Sequence, residues 1–309
     1  SVKDIISSNT FSYIDGQAYF ESNGVYYTKS SLAKLLQNEN INKGYVTLLS
    51  DISVEGGINI SSNVTLDLGG NTLNTKTILF QIPKDMVVNI KNGTITKIDN
   101  DGTGVIQIVD NGELNILDDL TINAKKYGIN VYDTAVLNYY GNMVLTGEGY
   151  AISGSASKSD NLNPNTTVNI YNGTIEALDG AAIYQPQTGT LNITGGTLKA
   201  NTVIGIKAGT INMTDGSLIA TGEKVEPKTD NNGFEYTGDT IFIEENTNYN
   251  DNIVIDITGG KLESINGYLI QEYNPTIGTN NELSAIITGI YSVKNETSNS
   301  KIFYYTKSN

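Results

Sequence analysis

Apolar and polar residues alternate along this chain in short runs, and the runs repeat one another. Residues 167–178 read TVNIYNGTIEAL and residues 190–200 read TLNITGGTLKA; the same phrase stands at 87–98 (VVNIKNGTITKI), 210–220 (TINMTDGSLIA) and 253–264 (IVIDITGGKLES). Looser copies occupy 64–75 (VTLDLGGNTLNT), 113–124 (ELNILDDLTINA), 136–147 (VLNYYGNMVLTG) and 283–293 (LSAIITGIYSV). A period of two marks strands rather than helices. Asn-Gly or Gly-Gly in the middle marks a sharp bend that needs positive φ.

Aligned on the first inward residue, the copies begin at Leu66, Val88, Leu114, Leu137, Val168, Leu191, Ile211, Ile255 and Ala285, spaced by 22, 26, 23, 31, 23, 20, 44 and 30 residues. A third strand recurs between copies, at 104–110, 127–133, 150–156, 181–187, 202–208, 240–246 and 267–273. Three short strands per turn, stacked on the same strands of the next turn, predict an all-β fold: a right-handed parallel β-helix of about nine or ten turns and very roughly 45 Å. The 44-residue spacing holds no extra turn. Its third strand stands late, so residues 221–238 are expected to leave the solenoid as a long loop between second and third strands. Residues 154–166 and 272–282 form two more outsized loops, and long loops on a rigid scaffold are where such proteins bind.

The first 44 residues break the pattern and predict a small α+β cap. FSYIDGQAYF and NGVYYTK read as hairpin strands, and 30–40 reads as a short helix with Leu32, Leu35 and Leu36 on one face. Such a cap would cover the open first turn of the solenoid over 45–309. KIFYYTKSN predicts a last strand. GVYYTKSSLAKLLQ, then YVTLLSDISVEGGINISSNVTLDLGGNTL, then the repeated LNITGGTL resemble the pectate-lyase-like right-handed β-helix proteins found on gut-bacterial surfaces and in phage fibres and tailspikes. The resemblance spans nearly the whole chain. It implies a fold and leaves the activity open, because that superfamily holds lyases, hydrolases, adhesins and inert spacers.

Composition narrows the choice. The 309 residues include no Cys, His or Trp, and all 19 basic residues are Lys. Lyases of this fold abstract a proton with Arg or Lys beside calcium-binding acids, and related hydrolases use Asp clusters with His, Arg and Lys. Both sets are broken in this chain. A net charge of -14 opposes nucleic acid and anionic membranes. No apolar run is long enough for a membrane-spanning helix, and SVKDIISSNT lacks the regions of a signal peptide.

Several residue sets remain as candidates. The second position of each copy forms a column, Asp67, Asn89, Asn115, Asn138, Asn169, Asn192, Asn212 and Asp256, whose amides can bond rung to rung. The same regularity generates Asn-x-Thr matches automatically, so they do not indicate glycosylation. Asp118 with Asp119, or Glu244 with Glu245, supplies two carboxyls for hydrolysis, but neighbours on a strand point to opposite faces. In DNDGTGVIQIVD (99–110), Asp99, Asp101, Thr103 and Asp110 follow the spacing of a calcium loop, although a strand replaces the exiting helix. Tyr140 and Tyr171 fall one turn apart, while Tyr236, Tyr249 and Tyr273 lie in or beside loops, where sugar faces stack on such rings.

The expectation is a non-enzymatic, extracellular fibre or adhesin module: a phage appendage that attaches to host cell-surface glycans or joins other virion proteins, assembling as a homotrimer. A secreted bacterial surface adhesin is the alternative, and a polysaccharide depolymerase is the second. No organic cofactor is expected; calcium is the one ion the spacing suits.

Overall fold

The computed structural model describes residues 5–7, 20–22, 25–27, 36, 44–155, 165–246, 249, 253–274, 285–289, 291–296 and 300–305. The chain is a parallel β-helix, with all its described strands joined in one continuous pairing network. The first turn is made of Tyr45–Leu48, Ile52–Val54 and Ile58–Asn59, and each of these pairs in parallel with its counterpart one turn on. Nine three-stranded turns follow one another, and Ile286–Gly289 begins a tenth along the first column. In the middle of the rod the corners tighten until strands fuse. Gly189–Ile206 runs through all three sides of its turn without a break.

Alternation explains the core. In the first column Val88, Leu114, Leu137, Val168, Leu191, Ile211 and Ile255 face inward and are all buried, stacking on one another in register. Each adds roughly 1.5–3 kcal/mol of apolar burial, available only because the neighbouring turn offers the matching residue. The corner between first and second strands is held at Gly173 with φ 85°, where an added Cβ would strike the Gly141 carbonyl of the turn before. Asn92 fills the equivalent corner of an earlier turn at φ 59°, a conformation that asparagine tolerates.

The alignment needs correction at both ends. Val64, not Leu66, stands opposite Val88, and Ile287, not Ala285, stands opposite Ile255. Both errors are slips of two residues, which leave every side chain on its correct face and so are invisible to an alternating pattern. The amide ladder shifts accordingly. Asn115, Asn138, Asn169, Asn192 and Asn212 each donate Nδ2 to the Oδ1 of the Asn one turn earlier, at 2.8, 2.8, 2.8, 2.8 and 3.0 Å. Asn89 then donates to Thr65 Oγ1 at 3.1 Å, so Thr65 holds the rung assigned to Asp67. Asp67 lies opposite Lys91 and accepts from Tyr45 Oη, the Gly69 amide and Asn92 Nδ2, which together hold its carboxyl below the usual range against the opposing effect of burial. Asp256 does face Asn212, and Thr288 Oγ1 donates to it at 2.7 Å.

At each end an antiparallel strand covers one column of the solenoid. Val25–Tyr27 pairs on one side with Ile5–Ser7 and on the other with Phe20–Ser22, which in turn lies against Tyr45–Leu48. At the other end Ser300–Tyr305 pairs with Ile270–Tyr273 and with Tyr291–Glu296. The expected helix over 30–40 lies outside the described residues except for Leu36, which is buried and whose carbonyl accepts from Ser61 N at 3.0 Å. Among the described residues no helix is long and apolar enough to cross a membrane.

Candidate functional site

The third column carries the most unusual outer face of the rod. Its strands put Gln107, Asn130, Ser153, Tyr184, Gly205, Phe242 and Gln271 in one outward line. Tyr127 and Tyr150 form a second outward line beside the first. The line therefore changes from amides and hydroxyls to aromatic rings halfway along the rod.

The loop over 221–238 folds back onto the aromatic half. Phe234 reaches across three turns and sets its ring against Tyr150 (centroids 5.6 Å apart), Tyr184 (5.6 Å) and Phe242 (6.2 Å). Gly205 makes room for it, because a Cβ there would come within 2.4 Å of three carbons of the Phe234 ring. Tyr236 meets Phe234 edge-on at 5.6 Å and donates its hydroxyl to the Gly149 carbonyl at 3.3 Å, while Tyr150 Oη accepts from the Phe234 amide at 3.4 Å. Burial among these rings pushes the Tyr236 hydroxyl up to about 12 and raises Tyr150 and Tyr184 further, so all three stay neutral donors.

Where the loop stops, a groove of about 270 Å³ opens. Its sides are Tyr127, Tyr132, Tyr150 and Tyr184, with Asn232 of the long loop at one end and Thr103 at the other; Gln107, Asn130 and Ser153 supply the polar groups between. Asn130 is fixed, donating Nδ2 to Ser153 Oγ at 2.8 Å and accepting from the Gly104 amide at 3.0 Å. Rigid amides and hydroxyls between tyrosine faces can hold several hydroxyls and one apolar ring face of a ligand.

The residues expected from sequence are distributed otherwise. Tyr140 and Tyr171 do stack, with centroids 4.8 Å apart and planes 15° apart, but at the corner after the first column. Tyr236 and Tyr273 belong to the half-buried aromatic patch packed round Phe234 and Phe242. Tyr249 is buried, its ring lying 4.6 Å from the Lys207 ammonium, and is not offered to solvent. In the acidic loop, Asp101 and Thr103 surround a cation that the chain itself provides. Lys97 Nζ donates to Asp101 Oδ1, to Thr103 O at 2.7 Å and to Thr103 Oγ1 at 3.0 Å. Asp99 and Asp110 are not drawn into that cluster, and no group of three or more acidic side chains able to hold a metal occurs among the described residues. Asp110 instead takes φ 44° in the turn after the strand Ile106–Ile108.

Alternation in 127–133 and 150–156 does not reveal the groove, since Tyr127 and Tyr150 share the phase of the buried Ile129 and Ile152 and so read as inward, whereas the fold turns both into the groove lining. No local signal tells that a loop some 80 residues later will cover only part of them. Fold and groove together define a β-solenoid with a polar, tyrosine-walled cleft on one lateral face. Comparison with protein-family models, with curated proteins and with solved structures finds no match.

Proposed function

We propose that this β-helix is a non-enzymatic binding module that takes an uncharged stretch of cell-surface glycan into the groove between Tyr127, Tyr150 and Tyr184. The observation that carries the reading is the lining itself: tyrosine faces for sugar rings and fixed amides and hydroxyls for their hydroxyl groups, with no carboxyl or amine among the lining residues. Cleavage of a glycosidic bond by the common route needs two carboxyls flanking it, which this lining does not supply. The resemblance to pectate-lyase-like surface and tailspike proteins supports the same reading, and with it an extracellular role in a phage fibre or a bacterial surface appendage.

The test is binding to a panel of neutral and acidic surface polysaccharides, read by calorimetry, with the supernatant assayed for released oligosaccharides. A neutral glycan is expected to bind without cleavage. Tyr127→Ala and Gln107→Ala should each weaken it about tenfold or more, in line with the loss of one stacking face or one polar contact. Soluble products would replace the binding reading with a depolymerase, and a panel that neither binds nor reacts would remove glycans as the ligand class.

A further inference from the structure

We propose that Lys207 and Asn246 become joined by an intramolecular isopeptide bond, formed under the control of Glu244 inside the aromatic patch beneath the long loop. Register brings the three together. Ile206 stands opposite Ile243, so Lys207 and Glu244 are neighbours on adjacent turns. Asn246 lies two residues beyond Glu244, on the same outward side of the chain. Lys207 and Glu244 are both fully buried and Asn246 is 4% exposed, a rare condition for a charged pair on the outside of a solenoid. The covering loop lies over them, with the Asp230 carbonyl accepting from Lys207 Nζ and the Asn231 carbonyl accepting from Tyr249 Oη at 2.7 Å.

Glu244 touches both reacting side chains through one atom. Its Oε1 is 3.3 Å from Lys207 Nζ and accepts from Asn246 Nδ2 at 3.1 Å, while Oε2 makes no hydrogen bond of good geometry among the described residues. The ring of Tyr249 lies 4.6 Å from the same Nζ and that of Tyr184 6.0 Å away. A dry cage of this kind favours passing the proton from ammonium to carboxylate, since two buried charges are harder to keep than two neutral groups. Burial lowers Lys207 and raises Glu244 against their mutual attraction, which moves both in that direction.

The neutral pair is chemically competent. With a proton on Glu244, the Asn246 amide turns over so that its oxygen accepts from that carboxyl, which makes Cγ more electrophilic. The Lys207 amine adds to Cγ, forming the Cγ–Nζ bond. Glu244 takes a proton from Nζ and delivers one to Nδ2, the Cγ–Nδ2 bond breaks, and one ammonia leaves. No electrons change hands, and Glu244 ends as it began. The product is an amide linking two adjacent turns where the long loop rejoins the solenoid.

Intact mass under denaturing conditions decides the matter on the unmodified protein. The expected result is a chain lighter than its sequence mass by one ammonia, with fragmentation locating the branch between Lys207 and Asn246. The full sequence mass is expected for Lys207→Arg, Asn246→Ala and Glu244→Gln. A wild-type chain of full sequence mass overturns the proposal without recourse to any variant. A branch mapped to another amide, Asn231 included, overturns the assignment to Asn246, and a bond that still forms in Glu244→Gln overturns the role given to Glu244.

Discussion

Asp239 shows how a single buried side chain can set a pH dependence for the whole rod. It is fully buried just ahead of the strand Ile241–Glu244, with Oδ1 accepting from the Tyr268 amide at 2.7 Å and Oδ2 from Thr237 Oγ1 at 2.7 Å. Burial pushes its carboxyl from the ordinary 3.8 up to about 7, although both hydrogen bonds and Lys224 pull the other way; Glu226 adds to the rise. Between those two values the folded chain keeps a proton that the unfolded chain has lost. The stability contributed by this proton is therefore fully present below pH 3.8, falls as pH rises toward 7 and is gone above it. Asp239→Asn removes the titration, so the variant should gain on the wild type by up to about 1.4 kcal/mol per pH unit across that window. Urea midpoints of the two proteins, measured from pH 4 to 8, should diverge in favour of the variant and then run parallel. Curves parallel throughout would mean that Asp239 is ionised in the fold. The Asn ladder works at the same scale without any titration: each rung adds about 1 kcal/mol of half-buried hydrogen bonding and fixes register where apolar alternation alone would allow a slip.

At the scale of the element, the Phe234 ring is the apolar anchor of the loop over 221–238, beside the hydrogen bonds of Tyr236, Asp230 and Asn231, and its slot exists because residue 205 has no side chain. Gly205→Ala leaves the strand pairing of Gly205 with Tyr184 and Phe242 intact but removes the space that Phe234 fills. The expected cost is about 1–3 kcal/mol of overpacking, taken up by lifting the loop rather than by unfolding the solenoid. Limited trypsin digestion should then cut at Lys224 and Lys228 well before the rest of the chain, and glycan binding should weaken as Asn232 leaves the groove. Equal digestion rates in the two proteins would mean that the loop is held elsewhere. This element also marks the limit of what the sequence reveals. Period-two alternation was enough to find the solenoid, its three columns and the departure of 221–238, because each turn states its own inward residues. Alternation does not distinguish a residue from its neighbour two places away, so Leu66 and Ala285 were aligned one pleat out, and Asp67 with them. Tyr249 reads as a loop aromatic in sequence, yet the fold buries it against Lys207. The groove depends on a contact between Phe234 and Tyr150, 84 residues apart, and such a contact has no local signature.

For the whole molecule, the recurring hazard of a parallel solenoid is its two open ends, where unpaired strands invite another chain to add on. Here one column at each end is covered by a strand of reversed direction. Phe20–Ser22 lies antiparallel on the first column, and Ser300–Tyr305 lies antiparallel on the third, so neither of those edges presents the parallel template that a further turn would need. Reversal of strand direction matters more than length, since among the described residues the last edge is covered by a four-residue pairing, Ile270 to Phe303 through Tyr273 to Ser300. Deleting the chain after Gly289 should expose the Ile270–Tyr273 edge while leaving nine complete turns and the groove untouched. Light scattering after size exclusion should give one fixed mass for the full chain, a trimer if the rod serves in a phage fibre. The shortened chain should show a mass that climbs with concentration, with glycan binding per chain unchanged. A shortened chain with the same fixed mass as the full one would show that the hairpin is not what keeps the rods apart. In that case the net charge of -14, spread along every rod, becomes the force that separates them, and raising the salt should bring the association back.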